Sequence, residues 1–69
     1  MSFIIKANDA GRIGWISAAN HRGFRSLAER EDAAIFSSRE EAQIAIDKLP
    51  EAFVRAGLRF SIEPADADL

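Results

Sequence analysis

The chain has 69 residues, of which 48% are hydrophobic and 29% charged, and a formal net charge of −2. These values are typical of one small folded domain and exclude a disordered or fibrous chain. The chain has no cysteine, which excludes disulfides, thiolate zinc sites and cysteine nucleophiles. Apolar runs such as Phe3-Ile4-Ile5 are far shorter than the roughly 20 residues of a membrane helix and too short for a signal-peptide core. We therefore expect a single cytoplasmic domain over residues 1–63.

Charge is distributed unevenly along the chain. Residues 1–30 carry five basic and two acidic side chains, whereas residues 31–69 carry four basic and nine acidic ones. The two halves interleave in a fold this small, so the asymmetry predicts a bipolar surface rather than two domains. The net negative charge argues against a general polyanion binder.

Alternation of apolar and polar side chains predicts a β-hairpin at the start of the chain. Residues 3–7 follow the period of two expected of a strand, and residues 8–11 supply a turn. Residues 12–19 then return antiparallel as a second strand, whose Trp15 is expected to lie in the core under a helix.

The segment between this hairpin and the main helix carries weaker signals. Residues 20–23 are predicted to form a turn, and residues 24–27 are either a third short strand or a loop. Residues 28–32 are charged, which favours a helical turn or an irregular bridge into the next apolar run. The sheet is therefore expected to have three or four strands.

The start of a helix is encoded twice. Ser37 with Glu40 and Ser38 with Glu41 each have the capping-box spacing, in which the hydroxyl and the carboxylate accept from backbone N–H groups. We expect one helix to begin at Ser38. Capping and the helix dipole are sufficient to explain both glutamates, so neither is assigned to an acid pair of the glycosidase type.

Apolar residues after these caps recur at intervals of three and four and predict one buried helical face. The members of this face are Ala42, Ala45, Ile46, Leu49, Phe53 and Ala56. Pro50 interrupts the helix, which is therefore either kinked or broken into two abutting helices with Pro50 near the first turn of the second. Gly57 is suited to end the helix, because a left-handed backbone there has no side-chain penalty.

Residues 58–63 alternate and predict a half-buried final strand, and residues 64–69 are expected to form an acidic flexible tail. The final strand is expected to pair with the first, in either orientation, with the first strand at the centre. The predicted fold class is α+β, with a three- or four-stranded, mostly antiparallel sheet in the order β-β-(β)-α-β. The Pro50-kinked or broken helix packs on one face of this sheet.

The segment His21-Arg22-Gly23-Phe24-Arg25 is the strongest candidate site, because it combines cations with an aromatic ring and a flexible glycine. These groups suit phosphate contacts and base stacking, or contact with an acidic protein surface. The alternative is structural, with Phe24 in the core of a third strand. His21 is the only histidine, and local spacing supplies neither an orienting carboxylate nor a nucleophile. No catalytic residue, metal site or cofactor is predicted.

Three isoleucines, Ile4, Ile16 and Ile44, fall opposite the assigned core positions. If the sheet face away from the helix is free, Ile4 and Ile16 on adjacent strands mark a partner or dimer surface. The alternative is that they are scattered surface residues or are covered by the segment from Ala28 to Ile35.

The order Phe3-Ile4-Ile5-Lys6, then Gly14-Trp15-Ile16-Ser17, then residues 34–42 covers most of the chain and resembles a layout common among small phage- and prophage-borne bacterial proteins. The same order is similar to the small N-terminal domain of some ribonucleases H, which implies binding of duplex nucleic acid. This chain carries less positive charge than that domain. In size and acidity it also resembles anti-CRISPR inhibitors, which occupy a surface of a larger nucleoprotein machine.

Elimination of catalytic groups favours a non-enzymatic module that binds another protein, and the resemblance implies an inhibitor of a larger bacterial or phage nucleoprotein machine. The residues expected at the partner surface are Ile4, Ile16, His21, Arg22, Phe24 and Arg25. The alternative function is a small nucleic-acid-binding module that uses residues 21–25. A second copy of the chain is a further candidate partner, and no membrane partner is expected.

Overall fold

The computed structural model describes residues 2–23 and 26–65 of the chain. Its elements are the strands β1 (Phe3–Asp9), β2 (Arg12–Trp15) and β3 (Arg59–Pro64), the helices α1 (Ala18–His21), α2 (Arg39–Asp47) and α3 (Glu51–Arg55), and a 3-10 turn at Arg30–Asp32. The three strands form one antiparallel sheet in the order β2-β1-β3. The predicted α+β class and the central position of the first strand are therefore confirmed.

The core forms on the face of the sheet that carries the helices. Ile5 and Ala7 of β1 are fully buried there and pack with Ala42, Leu49 and Phe53 from the helical layer. Other apolar side chains of the predicted stripe and of the final strand pack around this cluster; they include Ala45, Ile46, Leu58, Phe60 and Ile62. The helical periodicity thus identifies the buried face correctly.

The second strand is shorter than predicted, and its phase is reversed. Strand β2 ends at Trp15, and α1 begins at Ala18 within the segment expected to be extended. Trp15 lies opposite Lys6 and is only half-buried, whereas Ile16 is fully buried and its N–H donates to the carbonyl of Ile5 at 3.0 Å. The expectation of a core Trp15 is wrong, because the register with β1 turns Ile16 toward the core instead.

The predicted third strand is not formed by the described part of residues 24–27. Phe24 and Arg25 lie outside the described residues, and Ser26 and Leu27 belong to no strand. The chain then runs beside β2, where Ala28 exchanges two backbone hydrogen bonds with Trp15, of 2.8 and 3.0 Å. Among the residues that the structure describes, the sheet has three strands.

The start of α2 follows the capping prediction with a small difference in register. The N–H of Glu41 donates to Ser38 Oγ at 3.1 Å, so Ser38 is the N-cap and Arg39 the first helical residue. The Glu41 carboxylate accepts from the N–H of Ser37 at 3.1 Å and from its hydroxyl at 2.6 Å. Ser38 therefore supplies the acceptor for the first turn of the helix, and Ser37 donates to the Glu41 carboxylate.

The helix is broken at Pro50, which is the second of the two predicted alternatives. Helix α2 ends at Asp47, and Pro50 has extended backbone at the N-cap of α3. Gly57 adopts φ of 79° directly after this helical layer, as its predicted role as a helix stop requires. Ala56 is exposed, so its assignment to the buried stripe is wrong, because α3 ends one residue before it.

The final strand extends one residue further than predicted. Pro64 is the last residue of β3, and the N–H of Ala65 donates to the carbonyl of Ser2 at 2.8 Å. These two residues, which were predicted to open the acidic tail, are therefore attached to the sheet. Residues 66–69, the rest of the predicted tail, lie outside the described part of the chain.

Candidate binding groove

Helix α1 has only four residues, and a buried asparagine holds it in place. Asn20 Oδ1 accepts from the N–H of Ser17 at 2.7 Å, and its Nδ2 donates to the carbonyl of Ser26 at 2.9 Å. Asn20 is fully buried and polar, and its burial is tolerated because these hydrogen bonds satisfy its amide. A helix this short gains little from its own backbone, so this side chain fixes the position of the residues that follow.

His21 joins α1 to α2. Its Nε2 lies 3.0 Å from the carbonyl oxygen of Ala45, and because a carbonyl only accepts, Nε2 carries the proton in this contact. The Ala45 carbonyl, in the last turn of α2, also accepts from the N–H of Lys48 at 3.3 Å, so the imidazole is a second donor to this carbonyl. His21 therefore lies at the junction of two helices rather than in a free loop.

An open groove of about 500 Å³ lies between α1, α2 and the segment that precedes α2. Its apolar lining consists of Ala18, Ala34, Phe36, Ile44 and Ala45. Its polar lining consists of His21, Arg22, Glu41 and Lys48. The groove thus combines a mostly apolar interior with charged groups supplied by helix ends.

The charges of the groove have identifiable local causes. Arg22 and Lys48 are the exposed C-cap residues of α1 and α2, where a cation complements the negative end of the helix dipole. Glu41 lies in the first turn of α2, and hydrogen bonds from the hydroxyl and the N–H of Ser37 hold the pKa of Glu41 below its usual value. The carboxylate is therefore already occupied, while the two cations face solvent.

Ile44 lines this groove and is 48% exposed, as its position opposite the core stripe predicts. An exposed isoleucine beside Phe36 and Ala18 is part of an apolar surface rather than a single scattered side chain. The sequence places Ile44 opposite the core positions, but the partner surface predicted from it does not include Ile44. Of the residues that were assigned, the structure brings His21 and Arg22 into this groove.

The other predicted surface residues lie elsewhere. Ile4 and Ile16 are 3% and 0% exposed, so the hypothesis that they form a free apolar face is wrong. Ile16 belongs to the core, and Ile4 lies beside Arg30, Ala33 and Ile35, which is the covering segment named as the alternative. Phe24 and Arg25 lie outside the described residues.

Arg30 anchors the segment that covers Ile4. Its guanidinium lies over the ring of Trp15, 5.5 Å from the ring centroid, and donates to the carbonyls of Pro64 and Ala65 at 3.4 and 3.2 Å. The contact joins β2, the 3-10 turn and the end of β3 across the face of the sheet away from the helices. This face is therefore closed at the end that contains Ile4.

The chain matches no model of a known protein family, no curated protein sequence and no solved structure. Within residues 2–23 and 26–65, the side chains of His, Cys, Asp and Glu form no group of three that is placed to hold a metal ion. No helix in this part of the chain is long and apolar enough to cross a membrane.

Sequence reasoning missed Phe36, Lys48 and the role of Asn20. Ser17 and Asn20 have the spacing of a helix start, with asparagine where glutamate or glutamine is more usual, and that signal indicates α1. Phe36 and Lys48 carry no such signal, because they meet Arg22 only when the helices pack together.

Proposed function

We propose that this chain is a non-enzymatic module that binds another protein through the groove between α1 and α2. The observation that carries the proposal is the exposed Ile44 in an apolar groove bordered by the exposed cations Arg22 and Lys48. Protein interfaces combine an apolar centre with a polar rim, and an apolar residue in such a groove is a suitable anchor point.

The charges of the groove define the chemistry of the partner segment. Glu41 accepts hydrogen bonds from Ser37, whereas Arg22 and Lys48 are exposed, so an incoming carboxylate meets two available cations. The partner is therefore a protein segment that carries an apolar side chain next to aspartate or glutamate. Charges at the rim of an interface raise the association rate and the specificity of binding more than they raise the affinity.

The only histidine supports binding rather than catalysis. His21 Nε2 is engaged with the backbone of α2, which makes the imidazole a link between the two helices. Within protein binding, inhibition of a larger bacterial or phage nucleoprotein machine is the specific form that we propose from the size and acidity of the chain.

Selection of random peptides displayed on phage tests this function. The wild-type chain is expected to enrich sequences in which an apolar residue lies beside an acidic one. Ile44→Asp is expected to weaken binding of a selected synthetic peptide about tenfold or more, because burial of an isoleucine contributes about 1.5–3 kcal/mol. Val54→Asp is the matched control, since Val54 is also exposed but lies on α3, outside the groove.

A double reversal, Arg22→Glu with Lys48→Glu, is expected to shift the selected sequences from acidic to basic flanks. Equal enrichment on wild type and Ile44→Asp would contradict the groove proposal. Binding of labelled duplex or single-stranded nucleic acid, with an affinity that falls steeply as salt is added, would replace it with the nucleic-acid alternative.

A further inference from the structure

Strand β3 is an edge of the sheet. It pairs only with β1, and within the described residues no backbone group covers its other side. Such an edge presents unpaired N–H and C=O groups and is a template for another strand. The opposite edge differs, because Ala28 is already bonded to β2 at Trp15.

The ladder shows which groups of β3 point outward. Phe3 and Ile5 bond on the β2 side of β1, to Phe36 and Ile16, so by the alternation of an antiparallel ladder Ile4, Lys6 and Asn8 bond toward β3. Their partners in β3 are Arg59, Ser61 and Glu63. The N–H and C=O groups of Phe60 and Ile62 therefore point away from β1, toward the free edge.

The sequence of this edge is complementary to itself. In an antiparallel pair of two β3 strands centred on Ser61, Arg59 of each copy lies opposite Glu63 of the other, and Phe60 lies opposite Ile62. The outward backbone groups of Phe60 and Ile62 then form four hydrogen bonds across the pair. A slip of two residues breaks both Arg–Glu pairs, and a slip of one residue places apolar side chains opposite the polar face.

We propose that the chain forms a symmetric homodimer in which the two β3 strands pair antiparallel about Ser61. The twofold axis makes each contact occur twice, as an isologous interface requires. The two sheets join into one of six strands in the order β2-β1-β3-β3-β1-β2. The half-buried Phe60 and Ile62 lose further exposed area on the helical side, and the charge pairs form on the other side. This proposal is independent of the α1–α2 groove.

A cysteine crosslink tests the register. Opposed Ser61 residues form a non-hydrogen-bonded pair, whose Cα atoms are about 4.5 Å apart, close enough for a disulfide. The natural chain has no cysteine, so Ser61→Cys introduces one thiol per chain. Mild oxidation is expected to yield a crosslinked dimer of twice 7.6 kDa. Ser26→Cys, also exposed, is two residues from Ala28, which bonds to β2 at the edge opposite β3; it is the matched control and is expected to stay mostly monomeric.

Charge exchange tests the pairing in solution. Arg59→Glu and Glu63→Arg each place like charges opposite one another twice, and each is expected to raise the dimer dissociation constant by at least about fivefold. The combined variant restores opposite charges and is expected to dimerise like wild type. Arg12→Glu, on the opposite edge strand, is the control for a change in charge alone.

Light scattering after size exclusion over a range of concentrations measures the mass, and circular dichroism verifies that each variant is folded. A wild-type chain that is monomeric at every concentration would overturn the proposal. Equal crosslinking of Ser61→Cys and Ser26→Cys, or failure of the combined variant to recover the dimer, would overturn the Ser61 register. Peptide binding by the groove is unaffected by either result, which separates this proposal from the proposed function.

Discussion

Gly14 gives the sharpest test of how the chain packs along β2. It is buried in β2, opposite Ala7, and the loop that leads to Ala28 runs directly over it. A Cβ atom added at Gly14 would lie 2.7 Å from Leu27 Cδ1 and closer still to Leu27 Cβ. The substitution Gly14→Ala is therefore expected to destabilise the fold, although within a strand alanine is normally more stable than glycine.

Two opposing terms determine the size of the effect. Overpacking of a close contact costs about 1–3 kcal/mol. Alanine loses less backbone entropy on folding than glycine, which stabilises the variant by about 0.5–1 kcal/mol. We expect Gly14→Ala to lower the free energy of unfolding by about 1–2 kcal/mol, which is a large part of the roughly 3–10 kcal/mol expected for a domain of 69 residues.

The identity of the closest atom makes the prediction sharper. Leu27→Ala retains Cβ, so Gly14→Ala is expected to remain destabilising in that background. Leu27→Gly removes Cβ, and in that background the same Gly14→Ala change is expected to stabilise the fold by about 0.5–1 kcal/mol. The sign of one substitution thus depends on a single atom of a neighbouring residue.

Urea unfolding at 25 °C, followed by far-UV circular dichroism, measures each free energy. The fluorescence of Trp15, the only tryptophan, reports independently on the bridge between β2 and Ala28. If Gly14→Ala left the free energy of unfolding of the wild-type chain unchanged or raised it, the loop would move away without loss of stability and the overpacking argument would be wrong. An equal loss in the Leu27→Gly background would show that Leu27 is not the cause.

Two further substitutions test the ends of the helices. Asn20→Ala leaves the N–H of Ser17 and the carbonyl of Ser26 without their buried partner and is expected to cost about 2–3 kcal/mol in urea unfolding, against less than about 1 kcal/mol for Asn8→Ala in an exposed turn. Glu41→Gln is expected to lower stability at pH 7, and this loss relative to wild type should fade as the pH falls below about 4.3. Hydrogen bonds from Ser37 lower the folded-state pKa of Glu41. The ionised carboxylate therefore stabilises the fold above the unfolded-state pKa, and this stabilisation is lost as the pH falls through the folded-state pKa. Glu40→Gln, without those bonds, is the control, and an equal pH dependence in both variants would contradict the capping role of Glu41.

Local signals predicted the elements that are determined by nearby residues. The paired serines and glutamates located the start of α2, and the phase from Ala42 to Phe53 located the buried face of the layer that α2 and α3 form. Pro50 left two alternatives, because a proline is compatible with a kink and with a new helix start. The structure has the second: α2 ends at Asp47, Pro50 is the N-cap of α3, and α3 buries Phe53.

The phase of β2 could not be predicted, because the strand has only four residues and large apolar side chains stand at both parities: Ile13 and Trp15 at one, and Ile16, directly after the strand, at the other. The alternation predicted Trp15 in the core, but the register with β1 places Ile16 there. The groove was predicted only in part for a related reason. His21 and Arg22 stood out within the sequence, whereas Phe36 and Lys48 join them through tertiary packing.

The groove and the proposed dimer interface lie toward opposite edges of the sheet, the groove at the β2 edge and the interface at the β3 edge. Ala34 and Phe36, which line the groove, bond to Ile16 and Phe3 on the β2 side of β1, whereas β3 lies on the other side of β1. A dimer joined at β3 therefore leaves both grooves open near its outer ends. A partner with one acidic-apolar segment gains nothing from dimerisation, whereas a partner with two suitably spaced segments binds with higher avidity. By thermodynamic linkage, a single-segment ligand that binds monomer and dimer equally leaves the dimer dissociation constant unchanged.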